Sequence, residues 1–318
     1  MRRRRLLRGK LQLERRRVKL ETRRVRWKKI TLIGVGLLGG SLGLAIRQRR
    51  LADMVVGFVR RAASVAECKR LRAVDHATRD VEGAVAGADL IILCTPLAQM
   101  RRLVKEMLPA LKPGAIITDV GSVKASVIEE LEALIAKVGA RFVGSHPMAG
   151  AEKTGVAAAR ADLFRDAICV ITPTRRSDKA AVRMVGEFWK AVGSRLLTLT
   201  PEEHDRLLSR SSHLPHVVAA ELANFVLNQR HAKAQAAVCA NGFRDTTRIA
   251  SGSPEMWRDI ALANRENLAA ALQTFVSGLQ DFRHALKSGN DKAVSMFFEK
   301  AKQRRDRWAR KMGSPSPE

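Results

Sequence analysis

The run Lys29-Ile-Thr-Leu-Ile-Gly-Val-Gly-Leu-Leu-Gly-Gly-Ser41 constrains the fold of this chain more than any other stretch. β-Branched and aliphatic residues, Ile30 to Ile33, end in glycines 34, 36 and 39, and a periodic apolar segment follows through Leu42, Ala45 and Ile46. The pattern reads strand, tight turn, helix. In such a unit the first glycine permits the turn, the second lets backbone approach a pyrophosphate, and the third lets the helix pack on its strand. The free N–H groups at the helix start then face an anion. The expectation is a dinucleotide site touched by Gly34, Gly36, Leu37, Leu38 and Gly39.

The second strand, Met54 to Phe58, bears on which dinucleotide. The end of this strand normally carries an Asp or Glu that accepts hydrogen bonds from the adenosine ribose. Val59-Arg60-Arg61 stands there instead. No carboxylate is present to repel a 2′-phosphate, and two guanidiniums can pair with one. NADP is therefore expected over NAD, with Arg60 and Arg61 as contacts and NAD as the alternative.

Asp89-Leu-Ile-Ile-Leu-Cys94 is apolar almost throughout, as a strand covered on both faces should be. It stops at Thr95-Pro96, which is expected to border the cofactor. Ala115 to Val120, the run from Arg141 to His146, Ala167 to Thr172 and Leu196 to Thr198 read as further strands. Helical segments alternate with them, which implies a parallel sheet with right-handed crossovers. Ligands then gather at the C-terminal strand ends, where Gly34, Thr95, Ser122 and His146 fall.

From Thr200 onward the pattern is helical only. Thr200-Pro-Glu-Glu203 and Ser253-Pro-Glu-Met256 each place a capping hydroxyl before a proline at the first helical position. Val217–Leu227, Met256–Ala271 and Leu272–Leu286 carry long apolar faces that a second subunit would cover, so a homodimer is expected. The fold class is α/β. A Rossmann-like parallel-sheet domain is expected over residues 29–198 and an all-helical substrate and dimerisation domain over 199–312. A basic extension (1–28), expected to be disordered, precedes them, and a disordered tail (313–318) follows.

Composition narrows the class. The 318 residues are 46% hydrophobic, enough for a substantial core, and no apolar run reaches membrane-spanning length. The four cysteines, at 68, 94, 169 and 239, form no CxxC pair, so neither a disulfide framework nor a metal site is expected, and a reducing cytoplasm fits. The net charge of +27 raises nucleic acid as a partner. About half of that excess, however, sits in residues 1–29, against only Glu14 and Glu21, so a nucleic-acid role is not the main expectation. That tail has neither the apolar core of a secretory signal nor the serines of a transit peptide.

Three groups of residues carry chemistry. His146, at a strand end, is a natural base for an alcohol whose carbon loses a hydride, because imidazole titrates near neutrality. Ser122, at the end of the preceding strand, can bond both a substrate hydroxyl and the imidazole, while Lys124 either orients the turn or the cofactor or is an ordinary first-turn lysine. His213 and His216 stand three apart with Pro215 between them and His204 and Asp205 upstream. Without an HExxH pattern, substrate contact or packing outweighs metal ligation. Arg244, Asp245 and Arg248 lie in a polar, glycine-led turn, and a guanidinium there suits a carboxylate substrate.

Gly34-x-Gly-Leu-Leu-Gly-Gly-Ser41, Asp119-x-x-Ser-Val-Lys124, Gly144-Ser-His-Pro-Met-Ala-Gly-x-Glu152, His213-Leu-Pro-His216 and Phe243-x-Asp-x-Thr-Arg-Ile-Ala250 together resemble the prephenate/arogenate (cyclohexadienyl) dehydrogenase family of tyrosine biosynthesis. The resemblance covers about residues 29 to 310. It implies oxidative decarboxylation of prephenate, or of arogenate: hydride passes from ring C4 to the nicotinamide, carbon dioxide leaves and the ring becomes aromatic. It makes His146 the base on the 4-hydroxyl, Ser122 its partner and Arg248 the carboxylate clamp, with Glu152, His216, Asp245 and Trp257 as further active-site positions. It also implies departures from other members. Val59-Arg60-Arg61 replaces the acidic ribose contact, and neither a chorismate mutase region nor a C-terminal ACT domain is expected. The chain has no tyrosine, which excludes the Tyr-Lys catalysis of short-chain dehydrogenases. The alternatives are another Rossmann-type β-hydroxyacid dehydrogenase and a basic nucleic-acid-binding protein on a redox-sensing scaffold.

Overall fold

Strand β1 (Trp27–Ile33) is an inner strand of the sheet, and its side chains feed two cores. Leu32 packs with Leu42 and Ile46 on one face, while Ile33 packs with Leu103 and Leu131 on the other. In this computed structural model, which describes residues 26–151, 153–228 and 232–313, Ile30 and Leu32 serve the first core together with Trp27 at the strand's start, and Ile33 serves the second. Each fully buried Leu or Ile contributes about 1.5–3 kcal/mol relative to exposure.

The chain continues through α1 (Leu37–Gln48), β2 (Ala52–Phe58), α2 (Ala62–Arg70), β3 (His76–Thr78), α3 (Val81–Val85) and β4 (Leu90–Leu93). Then follow α4 (Leu97–Met107), β5 (Ile116–Asp119), α5 (Ala125–Ala136), β6 (Arg141–Pro147), β7 (Ile168–Thr172), α6 (Lys179–Ala191) and β8 (Arg195–Thr198). The strand order is β3-β2-β1-β4-β5-β6-β7-β8. The direction of winding reverses between β1 and β4, which opens a crevice at their C-terminal ends. β3 has only three residues, too few for periodicity to reveal, and the sequence reading omits it.

The sheet is Rossmann-like, as expected, with one correction to its parallel character. β7 runs antiparallel to β6, with His146 opposite Val170. Among the described residues of the link between them there is a 3₁₀ turn, Val156–Ala158, and no crossover α-helix to return the chain in the parallel sense.

The helical region begins with α7 (Pro201–Leu208), whose Thr200–Glu203 capping box is formed on both sides. A π-helical turn, Ser209–His213, leads into α8 (Leu214–Leu227), followed by α9 (Ala232–Ala237), α10 (Asn241–Thr247) and α11 (Pro254–Ala263), the last capped by Ser253. The periodic segment expected to run from Met256 to Ala271 is broken at Asn264. Its backbone leaves the helical range, at φ −119° and ψ 31°, and its side-chain nitrogen lies 2.8 Å from the Asp205 carbonyl and 3.1 Å from His213 Nδ1. The chain divides into two compact units, one ending at Asn264 and one beginning at Arg265. The second unit pairs α12 (Arg265–Lys287) with α13 (Asp291–Gly313), and Phe282 packs on Phe297 with ring centroids 4.4 Å apart.

Candidate active site

Two adjoining clefts open at the C-terminal ends of the strands. The first is bordered by Gly34, Gly36, Phe58, Val59, Arg60, Arg61, Thr95, Pro96 and Gln99. The turn after β1 depends on Gly34, whose φ of +99° lies where side chains are strained. A Cβ on Gly39 would overlap the Gly34 carbonyl oxygen, so that helix α1 can sit this close only on glycine. At Gly36 nothing stands within 4 Å of the missing Cβ, and the backbone faces open space. Helix α1 has no capping side chain and no acid in its first turn, which leaves its N–H groups to an anion.

These residues fit a dinucleotide. Thr95 Oγ1 and Gln99 Oε1 are buried in this cleft without a protein partner. An orphaned buried polar atom costs about 1–3 kcal/mol, which ligand hydroxyl or amide groups would relieve. Leu37 and Leu38 border the second cleft, Arg60 and Arg61 are exposed on the first, and Glu67 of α2 also reaches the first cleft. Gln99 escaped the sequence reading because a single helical glutamine carries no local signal.

The second cleft shares Gly36, Cys94, Thr95, Pro96 and Gly155 with the first, and continues past Ser122 and Gly150 to His216, Arg248 and Trp257. His216 lies flat against Trp257, centroids 3.6 Å apart and planes inclined by 27°. Its Nδ1–H donates to the Ser212 carbonyl at 2.9 Å, which leaves Nε2 as an acceptor. Burial lowers its pKa. Arg248 opens the 3₁₀ turn Arg248–Ser251 and borders the second cleft. Asp245 does not reach this cleft within the chain; it is exposed on α10. Glu152 lies outside the described residues.

His146 stands on β6 and is 8% exposed. Burial lowers its pKa well below the usual histidine value, with His204, Lys124 and His213 reinforcing the shift. The imidazole is therefore neutral at neutral pH and able to take a proton. Its hydrogen-bonding partner is His204, at 2.8 Å from Nδ1; no hydrogen bond joins it to Ser122, which borders the cleft nearby.

Beneath His146 lies a fully buried polar network. Lys124 pairs with Asp119 and donates to the Ser145 carbonyl at 2.9 Å. Asp119 also accepts from the Gly121 and Ser145 N–H groups, at 2.8 and 3.1 Å, while Ser145 Oγ receives the Trp189 indole N–H at 3.0 Å. Lys124 thus anchors the turn that presents Ser122. The sequence hinted at this pair in the spacing of Asp119 and Lys124, but nothing local reveals that the lysine is buried. His213 is also buried, which lowers its pKa to about 4. Among the described residues, no group of three or more His, Cys, Asp or Glu side chains is arranged to hold a metal ion.

A doubly wound sheet with a glycine-turn crevice, adjoined by a cleft that bears His216 and Arg248, is the architecture of an NAD(P)-dependent oxidoreductase. The nucleotide-binding domain model of prephenate dehydrogenase matches residues 42–198, and the dimerization domain model of the same family matches residues 200–302. The chain belongs to the prephenate dehydrogenase family. It is 34% identical to a cyclohexadienyl dehydrogenase from Zymomonas mobilis over 88% of this chain and 95% of that protein. It is 33% identical to a prephenate dehydrogenase from Bacillus subtilis over 87% of this chain and 75% of that one. A prephenate dehydrogenase from A. aeolicus, solved with hydroxyphenyl propionate and NAD+, superposes with a TM-score of 0.81 at 30% identity, covering 88% and 98% of the two chains.

Proposed function

We propose that the protein oxidatively decarboxylates prephenate to 4-hydroxyphenylpyruvate in tyrosine biosynthesis, with NADP as the preferred cofactor and arogenate as a second substrate. The observation that carries this reading is the buried His146 near the end of β6, three residues before Ala149, which lines the cleft that bears Arg248. A bound nicotinamide supplies the hydride acceptor. His146 takes the proton of the ring hydroxyl as its carbon becomes a carbonyl-like centre, and loss of carbon dioxide aromatises the ring. Arg248 holds the side-chain carboxylate in a bidentate pair. Ser122 bonds the substrate hydroxyl, and the His216–Trp257 stack forms the wall against the ring. Glu152 and Asp245 are proposed as polar contacts at the side-chain end of the substrate.

Two guanidiniums beside Val59 support NADP, since a 2′-phosphate needs cationic donors and no competing carboxylate at the strand end. Assembly as a homodimer through the helical region is supported by apolar side chains exposed on α12 and α13, among them Leu279 and Phe298. A cytoplasmic location is supported by four unpaired cysteines. No described helix is long and apolar enough to cross a membrane.

The test is steady-state reduction of NADP and NAD by the purified protein, with prephenate and arogenate in parallel. Turnover with prephenate, faster with NADP, is the expected result. Folded protein that turns over none of the four pairs would overturn the reading.

A further inference from the structure

A buried pair of histidines leaves little freedom in where each ring hydrogen sits. His146 Nδ1 and His204 Nε2 are 2.8 Å apart, and the two residues are 8% and 0% exposed. One hydrogen lies between them, and which ring owns it decides which nitrogen of His146 is left with a lone pair.

The next link settles ownership. His204 Nδ1 is 2.7 Å from Asp205 Oδ1. An ionised carboxylate only accepts, so His204 carries its hydrogen on Nδ1 and its Nε2 is a lone pair. The hydrogen between the histidines then belongs to His146 Nδ1, and His146 Nε2 becomes the acceptor. The opposite order would set a nitrogen lone pair against a carboxylate oxygen in a dry interior.

Asp205 is itself fixed from a second direction. Its Oδ1 accepts the Lys124 N–H at 2.8 Å and its Oδ2 the Ala125 N–H at 2.9 Å. These are free N–H groups at the start of α5, where a negative charge is favoured. The carboxylate is thereby held in place and in its acceptor role.

We propose that His204 and Asp205 are positioning residues that set the tautomer of His146, so that Nε2 is the atom that takes the substrate proton. This rests on the reading of His146 as the base. In that step the hydroxyl O–H bond breaks and an Nε2–H bond forms. The resulting imidazolium keeps its Nδ1–H on His204, whose other face remains bonded to Asp205. The relay supplies orientation and takes no proton itself.

The experiment reads the tautomer directly, from two-bond ¹H–¹⁵N correlations of the histidine rings in the labelled full-length protein without substrate or cofactor. The expected wild-type result is His146 with its hydrogen on Nδ1. His204→Leu, which removes the acceptor, should lose that preference and lower kcat by about 10²-fold with little change in substrate KM, within the range that general base catalysis contributes. His204→Gln should recover most of the rate, because its side-chain oxygen can accept where Nε2 stands. A wild-type His146 protonated on Nε2, or Leu and Gln variants of equal kcat, would overturn the proposal. His146→Ala is measured alongside: full turnover in that variant would remove the base assignment, and the tautomer measurement, which needs no turnover, distinguishes that failure from a failure of the relay.

Discussion

Lys124 and Asp119, five residues apart, form an ion pair with both side chains wholly inaccessible to solvent. Removing one member leaves the other charge buried and uncompensated. Lys124→Met should therefore destabilise the fold by about 3–5 kcal/mol, read from denaturant unfolding. The double variant Lys124→Met/Asp119→Asn should recover part of that loss, and an unchanged midpoint in the single variant would contradict the pairing.

The stack of His216 on Trp257 gives a second expectation. An aromatic pair contributes about 0.5–1.5 kcal/mol beyond its buried area. Trp257→Ala should raise the substrate KM by about two- to tenfold through loss of a fixed His216 ring. The effect on cofactor KM should be smaller, since neither ring lines the first cleft. Kinetics with substrate and cofactor varied in turn separate the two.

The proposed preference for NADP concerns Arg60 and Arg61, which line the first cleft. Hydrogen bonds to charged groups contribute about 1.5–3 kcal/mol. The double variant Arg60→Ala/Arg61→Ala should accordingly raise the KM for NADP by about 10- to 100-fold and leave that for NAD within a few-fold. Equal effects on both would mean that these arginines contact something other than the 2′-phosphate.

Acid should weaken the protein through its buried histidines. His146, His213 and His216 all have pKa values lowered chiefly by burial. The unfolded chain, with ordinary histidines, binds more protons than the folded one below about pH 6.5. Stability is therefore fully present above that pH and falls as the pH drops, by up to about 1.4 kcal/mol per pH unit for each histidine. By the same shift, the acidic limb of kcat/KM should lie below the usual histidine range. Unfolding and kinetics between pH 7.5 and about 5 check both.

Several of these features were legible in the sequence, because the residues that make them are neighbours. The glycine turn, the Thr200 and Ser253 caps and the apolar strands are local patterns, and the structure reproduces them. Features that depend on distant partners were not legible. His204 meets His146 across 58 residues, and Asp205 meets Lys124 across 81. The reversal of β7 left no mark because strand periodicity is the same in either direction. Asn264 looks like any helical position until its partners, Asp205 and His213, are known.

The contacts of Asp205 also bear on how the cleft can move. The sheet region and the first helix after it are joined by Asp205 on the N-terminus of α5 and by His204 on His146. A rotation at residues 199–200 would break three hydrogen bonds among buried groups, at a cost of several kcal/mol. That junction is a weld and not a hinge. Three contacts from one short helix thus hold the ring of His146 against the sheet region that carries it.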